Sequence, residues 1–324
     1  MRSFLRKKGY TSHCTICIDN IRGMKMKEVE FRRPQLEDKE TLSYYFKKYP
    51  SRSCERTFVN VYLWSKHYSV KYAIIENALV FRSEDEGAYS FAYPAGEPED
   101  VKRAIEFLKE YCEERDQEFN MYCVTPEAWE QFNSWYPGQY EIEYSRDDAD
   151  YIYEAEKLAT LSGKKLHAKR NHINKFKAEH ENWSYEPMTE ENLEECFQMA
   201  LKWRNENGCE EDLNKNAEMC VTLNSLRLFK ELELIGGILR VDGEIVAFTI
   251  GEELCEDTFV VHIEKAYANI QGAYPMINQQ FVEHACKDYR YVNREEDTGS
   301  EGLRKAKLSY RPVFLTEKGY VTKK

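Results

Sequence analysis

Residues 234–264 read LIGGILRVDGEIVAFTIGEELCEDTFVVHIE, and this stretch decides the architecture. It divides at Asp242-Gly243, a pair that favours the two-residue turn of a hairpin. The runs on either side, 234–241 and 244–251, and a third at 258–264, are rich in Ile, Val and Phe, the residues that fit a pleated, half-buried surface. Three such strands in succession form a meander. A helix over 274–288 and a short strand at 291–294 follow, and a helix between strands is a crossover. A meander followed by a crossover predicts a mixed sheet with helices on its faces, not a doubly wound parallel sheet.

Working outward, the first half of the chain carries the same order. A short strand at 29–33 ends at Pro34, a helix spans 36–49, and an apolar-periodic segment covers 57–68. Extended runs at 70–75, 78–82 and 88–93 are separated by turns at 76–77 and 84–87. A helix opens at Pro98 and runs to 115, a strand covers 119–124, and Thr125-Pro126 caps the next helix. In the second half a strand at 183–186, a helix to 205 and another to 230 precede the meander. A helix at 301–308 and a last strand after Pro312 close the chain. Each half reads strand, helices, meander, helix, strand, helix, with no repeat of sequence. The expected division is a loosely attached or disordered leader over 1–25, one domain over 26–150 and a second over 151–324. Residues 147–182, rich in Lys and read as mainly helical, bridge the two.

The 324 residues are 42% hydrophobic and 14% aromatic, enough for real cores. Mean hydropathy is -0.72, and no uncharged apolar run approaches the ~18 residues of a membrane span. With 46 basic and 57 acidic residues the net charge is -11, which argues against a general nucleic-acid coat but leaves room for a local basic patch. The basic leader lacks the apolar core of a secretory signal, so the ten cysteines read as reduced thiols of a cytoplasmic protein. His13, Cys14 and Cys17 form half a site with no second pair behind it, and no metal is expected.

Three stretches carry chemistry. Residues 164–177, KKLHAKRNHINKFK, hold eight Lys, Arg or His and no acid. On a helix, Arg170 and Lys177 fall within roughly 40° of the packing line through Leu166 and Ile173. They either snorkel over the core or face an anion. Residues 262–275, HIEKAYANIQGAYP, place Gly272 and Pro275 at a strand-loop-helix junction where free N–H groups favour phosphate. Residues 293–312, NREEDTGSEGLRKAKLSYRP, compress acids, a glycine and a basic helix behind a strand. Leu303, Ala306 and Tyr310 give that helix a packing edge, and Lys307 lies beside it, where a lysine drawn from water can serve a developing oxyanion. The alternative is an exposed helix whose acids and bases complement its dipole.

Taken together, these stretches resemble the C-terminal domain family of phosphatidylglycerol lysyltransferase, itself similar to Fem-type peptidyltransferases. The resemblance covers roughly residues 27–324. It implies an α/β (α+β) fold of two tandem GNAT-like acyltransferase domains, with mixed sheets flanked by helices. It also implies transfer of an aminoacyl group, from aminoacyl-tRNA, to an amine or hydroxyl on a lipid headgroup, peptide or small molecule. Lys307 and Pro312 fall on the family pattern Lys-x-x-aromatic-x-Pro, with Tyr310 as the aromatic, and the resemblance gives Lys307 a polarising role at the ester carbonyl. It places Asn293 at a strand end beside the substrate pocket, and Glu264, Asp297, Arg304 and Tyr310 among the substrate contacts. Lys169, Arg170 and Asn171 match the basic linking helix, expected with Gly272 to meet tRNA or another phosphate.

The lipid-synthesising members also carry a long membrane region, for which this sequence has no counterpart. GNAT enzymes hold coenzyme A at a Gln/Arg-x-x-Gly-x-Gly/Ala loop. Here Asn269 replaces the first residue and Tyr274 the last small one, which obstructs close backbone approach. No cofactor is therefore expected, with aminoacyl-tRNA as co-substrate. An acyl-coenzyme A N-acyltransferase and a non-catalytic small-ligand module on the same fold are the competing readings.

Overall fold

Thr57 accepts the amide of Asn60 at 3.2 Å, an N-cap that turns the apolar stretch after it into a helix. In the computed structural model, which describes residues 29–324, that helix is α2 (Phe58–Trp64), preceded by α1 (Lys39–Lys48). The leader over 1–25, with His13, Cys14 and Cys17, lies outside the described residues. A meander follows of β1 (Lys71–Ile75), β2 (Ala78–Asp85) and β3 (Ala88–Ala92). The crossover helix α3 (Pro98–Glu113) leads to β4 (Met121–Val124), α4 (Pro126–Trp135) and β5 (Tyr140–Tyr144). The short strand expected at 29–33 is reduced to a bridge between Arg32 and Tyr72.

The second half begins with β6 (Asp150–Glu154), α5 (Ala155–Thr160) and α6 (His167–Glu179), then β7 (Trp183–Pro187), α7 (Leu193–Glu206) and α8 (Leu213–Arg227). The meander is β8 (Ile235–Val241), β9 (Glu244–Cys255) and β10 (Thr258–Ala266). Asp242 and Gly243 both take positive φ, +51° and +87°, as a two-residue hairpin turn requires, and Val241 pairs with Glu244 across them. The crossover α9 (Ala273–Ala285) leads to β11 (Tyr291–Asn293), and α10 (Glu301–Leu308), β12 (Phe314–Thr316) and β13 (Gly319–Lys323) complete the chain.

The strand orders are β1-β2-β3-β4-β13-β5 and β12-β6-β11-β10-β9-β8-β7. Each sheet is mixed, with one parallel pair, β3 with β4 and β10 with β11. Helices flank the sheets, as the tandem GNAT-like reading expects. One buried cluster joins the halves, packing Leu42, Phe46 and Leu63 with Met199, Phe248 and Ile263. Among the described residues no helix is long and apolar enough to cross a membrane.

Three expectations change. Residues 150–154, read as part of a helical bridge, are a strand paired on both sides by β11 and β12. Tyr151, Ile152 and Tyr153 are all buried, so the strand shows none of the alternation that marks a half-buried one. The last strand, β13, inserts between β4 and β5 of the first sheet, so the second half of the chain returns to the first. Helix α6 buries Ile173 and Phe176 in the second core instead of lying across both halves.

Candidate active site

Strands β10 and β11 pair only where Thr258, Phe259 and Val260 meet Tyr291, Val292 and Asn293. Beyond that point β10 continues while the chain after Asn293 turns away, and the strands part. A cavity of about 460 Å³ occupies the gap, between residues 261–265 and 294–296, with Lys169, Lys307 and Tyr310 on its walls.

The wall at 294–296 is held from several directions. Lys307 is buried, and its ammonium donates to the backbone carbonyls of Arg294, Glu295 at 3.1 Å and Glu296 at 2.8 Å. An ammonium has three donors, and here each has a carbonyl. Burial, then the charge of Arg294, lowers the Lys307 pKa. His262 sits between two carboxylates, Glu252 at 2.9 Å and Glu295 at 2.8 Å. Burial opposes its protonation, but the two carboxylates prevail and raise its pKa to about 10. The Asn293 side chain accepts the Glu295 amide at 2.6 Å. The polarising role expected of Lys307 is therefore corrected: its hydrogen-bonding capacity is spent on shaping the wall.

Lys169 is different. It projects from α6 with its ammonium 4.0 Å from the centre of the Tyr310 ring. Burial first, then repulsion by Arg294, lowers its pKa to about 8 against the pull of Glu264. Glu264 accepts from Arg294 at 2.8 Å and from Asn278 at 3.1 Å. Glu264 and Tyr310, both expected among the substrate contacts, line the cavity together with Arg294 and with Lys169, which the sequence reading assigns to a phosphate or tRNA contact on the linking helix.

The other expected residues lie elsewhere. Asp297 is fully buried and accepts from Arg304 through Nε at 2.8 Å and Nη2 at 2.7 Å, from the Gly299 amide at 3.0 Å and from the Tyr151 hydroxyl. Burial raises its pKa, but these donors outweigh it and hold it at about 2. Asp297 and Arg304 form a brace behind the cavity wall, not a substrate contact, because their paired groups saturate one another. Asn293 is buried against Asp150 at 3.0 Å and the Arg52 carbonyl at 2.7 Å. The Arg170 guanidinium reaches the carbonyls of Leu161 and Gly163 and so caps the end of α5. Asn171 is exposed and contacts His167. Gly272, at φ +90°, lies under α6: a Cβ there would come within 2.8 Å of the His172 carbonyl and 2.9 Å of Phe176. The space expected to take a phosphate is filled by the basic helix itself.

Sequence reasoning missed a buried ionic cluster between the sheets. Lys318 donates to Asp150 and to Glu55, both at 2.8 Å, and to Cys54 Sγ at 3.4 Å. Burial opposes charge on Lys318, yet Asp150, Cys54 and Glu55 push its pKa up. Cys54, Glu55 and Asp150 present ligand-type atoms within 4.8 Å of one another, and the Lys318 ammonium supplies the positive charge among them. No local motif announces the cluster, since Lys318 and Asp150 are 168 residues apart. His262 stood in a quoted stretch, but its partners come from β9 and the loop after β11.

The chain belongs to the family described as phosphatidylglycerol lysyltransferase, C-terminal, which it matches over residues 46–322. It is 37% identical to a structure described as a conserved protein of unknown function from Bacteroides thetaiotaomicron VPI-5482, with a TM-score of 0.86 over 91% of this chain and 100% of that one. The structure of L-PGS from Bacillus licheniformis shares the fold, with a TM-score of 0.63 at 15% identity over 92% of this chain and 94% of that one. An uncharacterized protein of Mycoplasmoides gallisepticum is 26% identical over 189 residues, 57% of this chain and 59% of that protein's length. Family and fold together point to a transferase of acyl or aminoacyl groups.

Proposed function

We propose that the cavity between β10 and β11 transfers an aminoacyl group from an ester, with aminoacyl-tRNA as the donor, to an amine or hydroxyl acceptor in the cytoplasm. The observation that carries this reading is Lys169, a half-buried lysine in the cavity whose pKa is lowered to about 8. A base poised near working pH is what such a transfer needs. The acceptor nitrogen or oxygen attacks the ester carbonyl, forming the new C–N or C–O bond. The ester C–O bond breaks, and the proton leaving the acceptor passes through neutral Lys169 to the departing hydroxyl oxygen. Lys307 acts as a positioning residue, fixing the carbonyls of 294–296, and Glu264 with Arg294 and Tyr310 lines the substrate's path.

The filled space above Gly272 favours an aminoacyl ester over an acyl-coenzyme A, whose pyrophosphate would need that space. The family's lipid chemistry makes a phosphatidylglycerol headgroup the first acceptor to try, with peptide amines second. The test is incubation of the whole chain with radiolabelled aminoacyl-tRNA and each acceptor in turn. Label moved to an acceptor supports the reading. Label that stays on tRNA, or is only released to water, with every acceptor contradicts it and favours the small-ligand module.

A further inference from the structure

The first sheet opens between its own parallel pair. Strands β3 and β4 are joined only at Phe91 with Met121 and Ala92 with Tyr122, and beyond these positions they separate. At the parting, Cys123 holds φ +54°, a left-handed conformation that a non-glycine residue keeps only where its surroundings impose it. The space is a cavity of about 660 Å³, larger than the one in the second sheet and within the range of small-molecule sites.

Its lining combines aromatic walls with a guanidinium that has no salt-bridge partner among the described residues. Phe46, Trp64, Phe81, Tyr93 and Tyr122 supply the walls, and Arg56 the charge. Arg56 donates to the Tyr93 carbonyl at 2.7 Å, and among the described residues no salt bridge joins it to a carboxylate. Its neighbour Glu55 is engaged by Lys318 and Ser53. Lys48 and Arg52, also on the lining, pair with Glu97 and Asp257. Glu127 and Glu317 line the cavity too, without bonding to Arg56. Burial lowers the Arg56 pKa, yet a guanidinium does not give up its proton in a protein. Partly buried, and with its neighbour Glu55 committed to Lys318, it gains from an anion that brings a counter-charge of its own.

We propose that this cavity is a second binding site, for an anion carried on an apolar body: a carboxylate or phosphate head on Arg56, with an acyl or aryl group among Phe46, Trp64, Phe81 and Tyr122. The site is separate from the transfer cavity and does not depend on its chemistry. The two are neighbours, because Asn60 and Trp64 of α2 line both, so α2 is the wall between them.

The test is calorimetric titration of the whole chain with octanoate, octyl phosphate, octanol and inorganic phosphate. The expected result is that at least one octyl anion binds about 10-fold or more tighter than octanol and than inorganic phosphate, the scale of one charge-assisted contact. The tighter of the two anions names the head group. Arg56→Gln should remove that advantage while leaving octanol binding unchanged. Ala128→Trp, which fills the cavity from the first turn of α4, should abolish binding of anion and alcohol alike. It keeps the test decisive if Arg56→Gln does not fold. Equal affinity of octanol and the anions, or wild-type anion binding by Ala128→Trp, would overturn the proposal.

Discussion

The ammonium of Lys318 lies 2.8 Å from Oδ1 of Asp150, and this contact ties the end of the chain to the start of its second half. Asp150 opens β6 of the second sheet, and Lys318 immediately precedes β13 of the first. Both side chains are buried, at 0% and 1% exposure. Glu55 shares the ammonium, so Lys318→Met leaves two carboxylates without their cation. The expected loss is about 3–5 kcal/mol of stability in urea unfolding, the usual result of breaking a buried ion pair from one side. Lys318→Met combined with Asp150→Asn should recover part of it, because one unpaired charge is then gone. A single variant as stable as the wild type would contradict the pairing.

His262 sets a pH dependence of stability. Its folded pKa, about 10, lies above the ordinary 6.5, so its contribution is complete below about pH 6.5 and fades as pH rises through about 10. His262→Gln, which leaves Glu252 and Glu295 facing an uncharged group, should cost about 3 kcal/mol at pH 6. The gap between variant and wild type should narrow steadily toward pH 10. Urea unfolding at pH 6, 8 and 10 measures it, and a gap that is constant or widens would refute the charged imidazole.

Gly272→Ala tests the packing of α6 over the start of α9. Left-handed backbone costs an alanine ~1–2 kcal/mol, and the added methyl meets the His172 carbonyl. The variant should lose at least that much stability in thermal unfolding. A melting temperature equal to that of the wild type would mean that α6 does not lie there.

The meander was legible because its signals are local: a two-residue turn and strands of the right composition. Strand β6 was not, because a strand buried on both faces has no periodicity, and the lysines beyond it suggested a helix. The expected packing edge of α10 is only half right: Tyr310 is buried, but Leu303 and Ala306 are exposed and Lys307 itself forms the buried face, because a loop folded against it from elsewhere supplies the carbonyls it meets. The three consecutive residues Lys169, Arg170 and Asn171 show the limit most sharply. One step along a helix is ~100°, so one faces the cavity, one caps α5 and one faces water. A sequence stretch matched as a block does not separate them.

Lys307→Met distinguishes positioning from chemistry. Three backbone carbonyls lose their donor, which should cost about 2–4 kcal/mol of stability and lower transfer. The pH midpoint of the remaining transfer should stay near 8, because the titrating group is another residue. A midpoint that disappears with Lys307 would return the chemistry to it.

The most direct test is the pH–rate profile of aminoacyl transfer for the wild type and for Lys169→Met. If neutral Lys169 carries the proton, wild-type transfer rises with pH through about 8 and then levels off. Lys169→Met should fall by on the order of 10²–10³ and lose the rise, with its urea unfolding nearly unchanged because no hydrogen bond of the fold is broken. Transfer by Lys169→Met at the wild-type rate, or with the same rise through pH 8, would contradict the account.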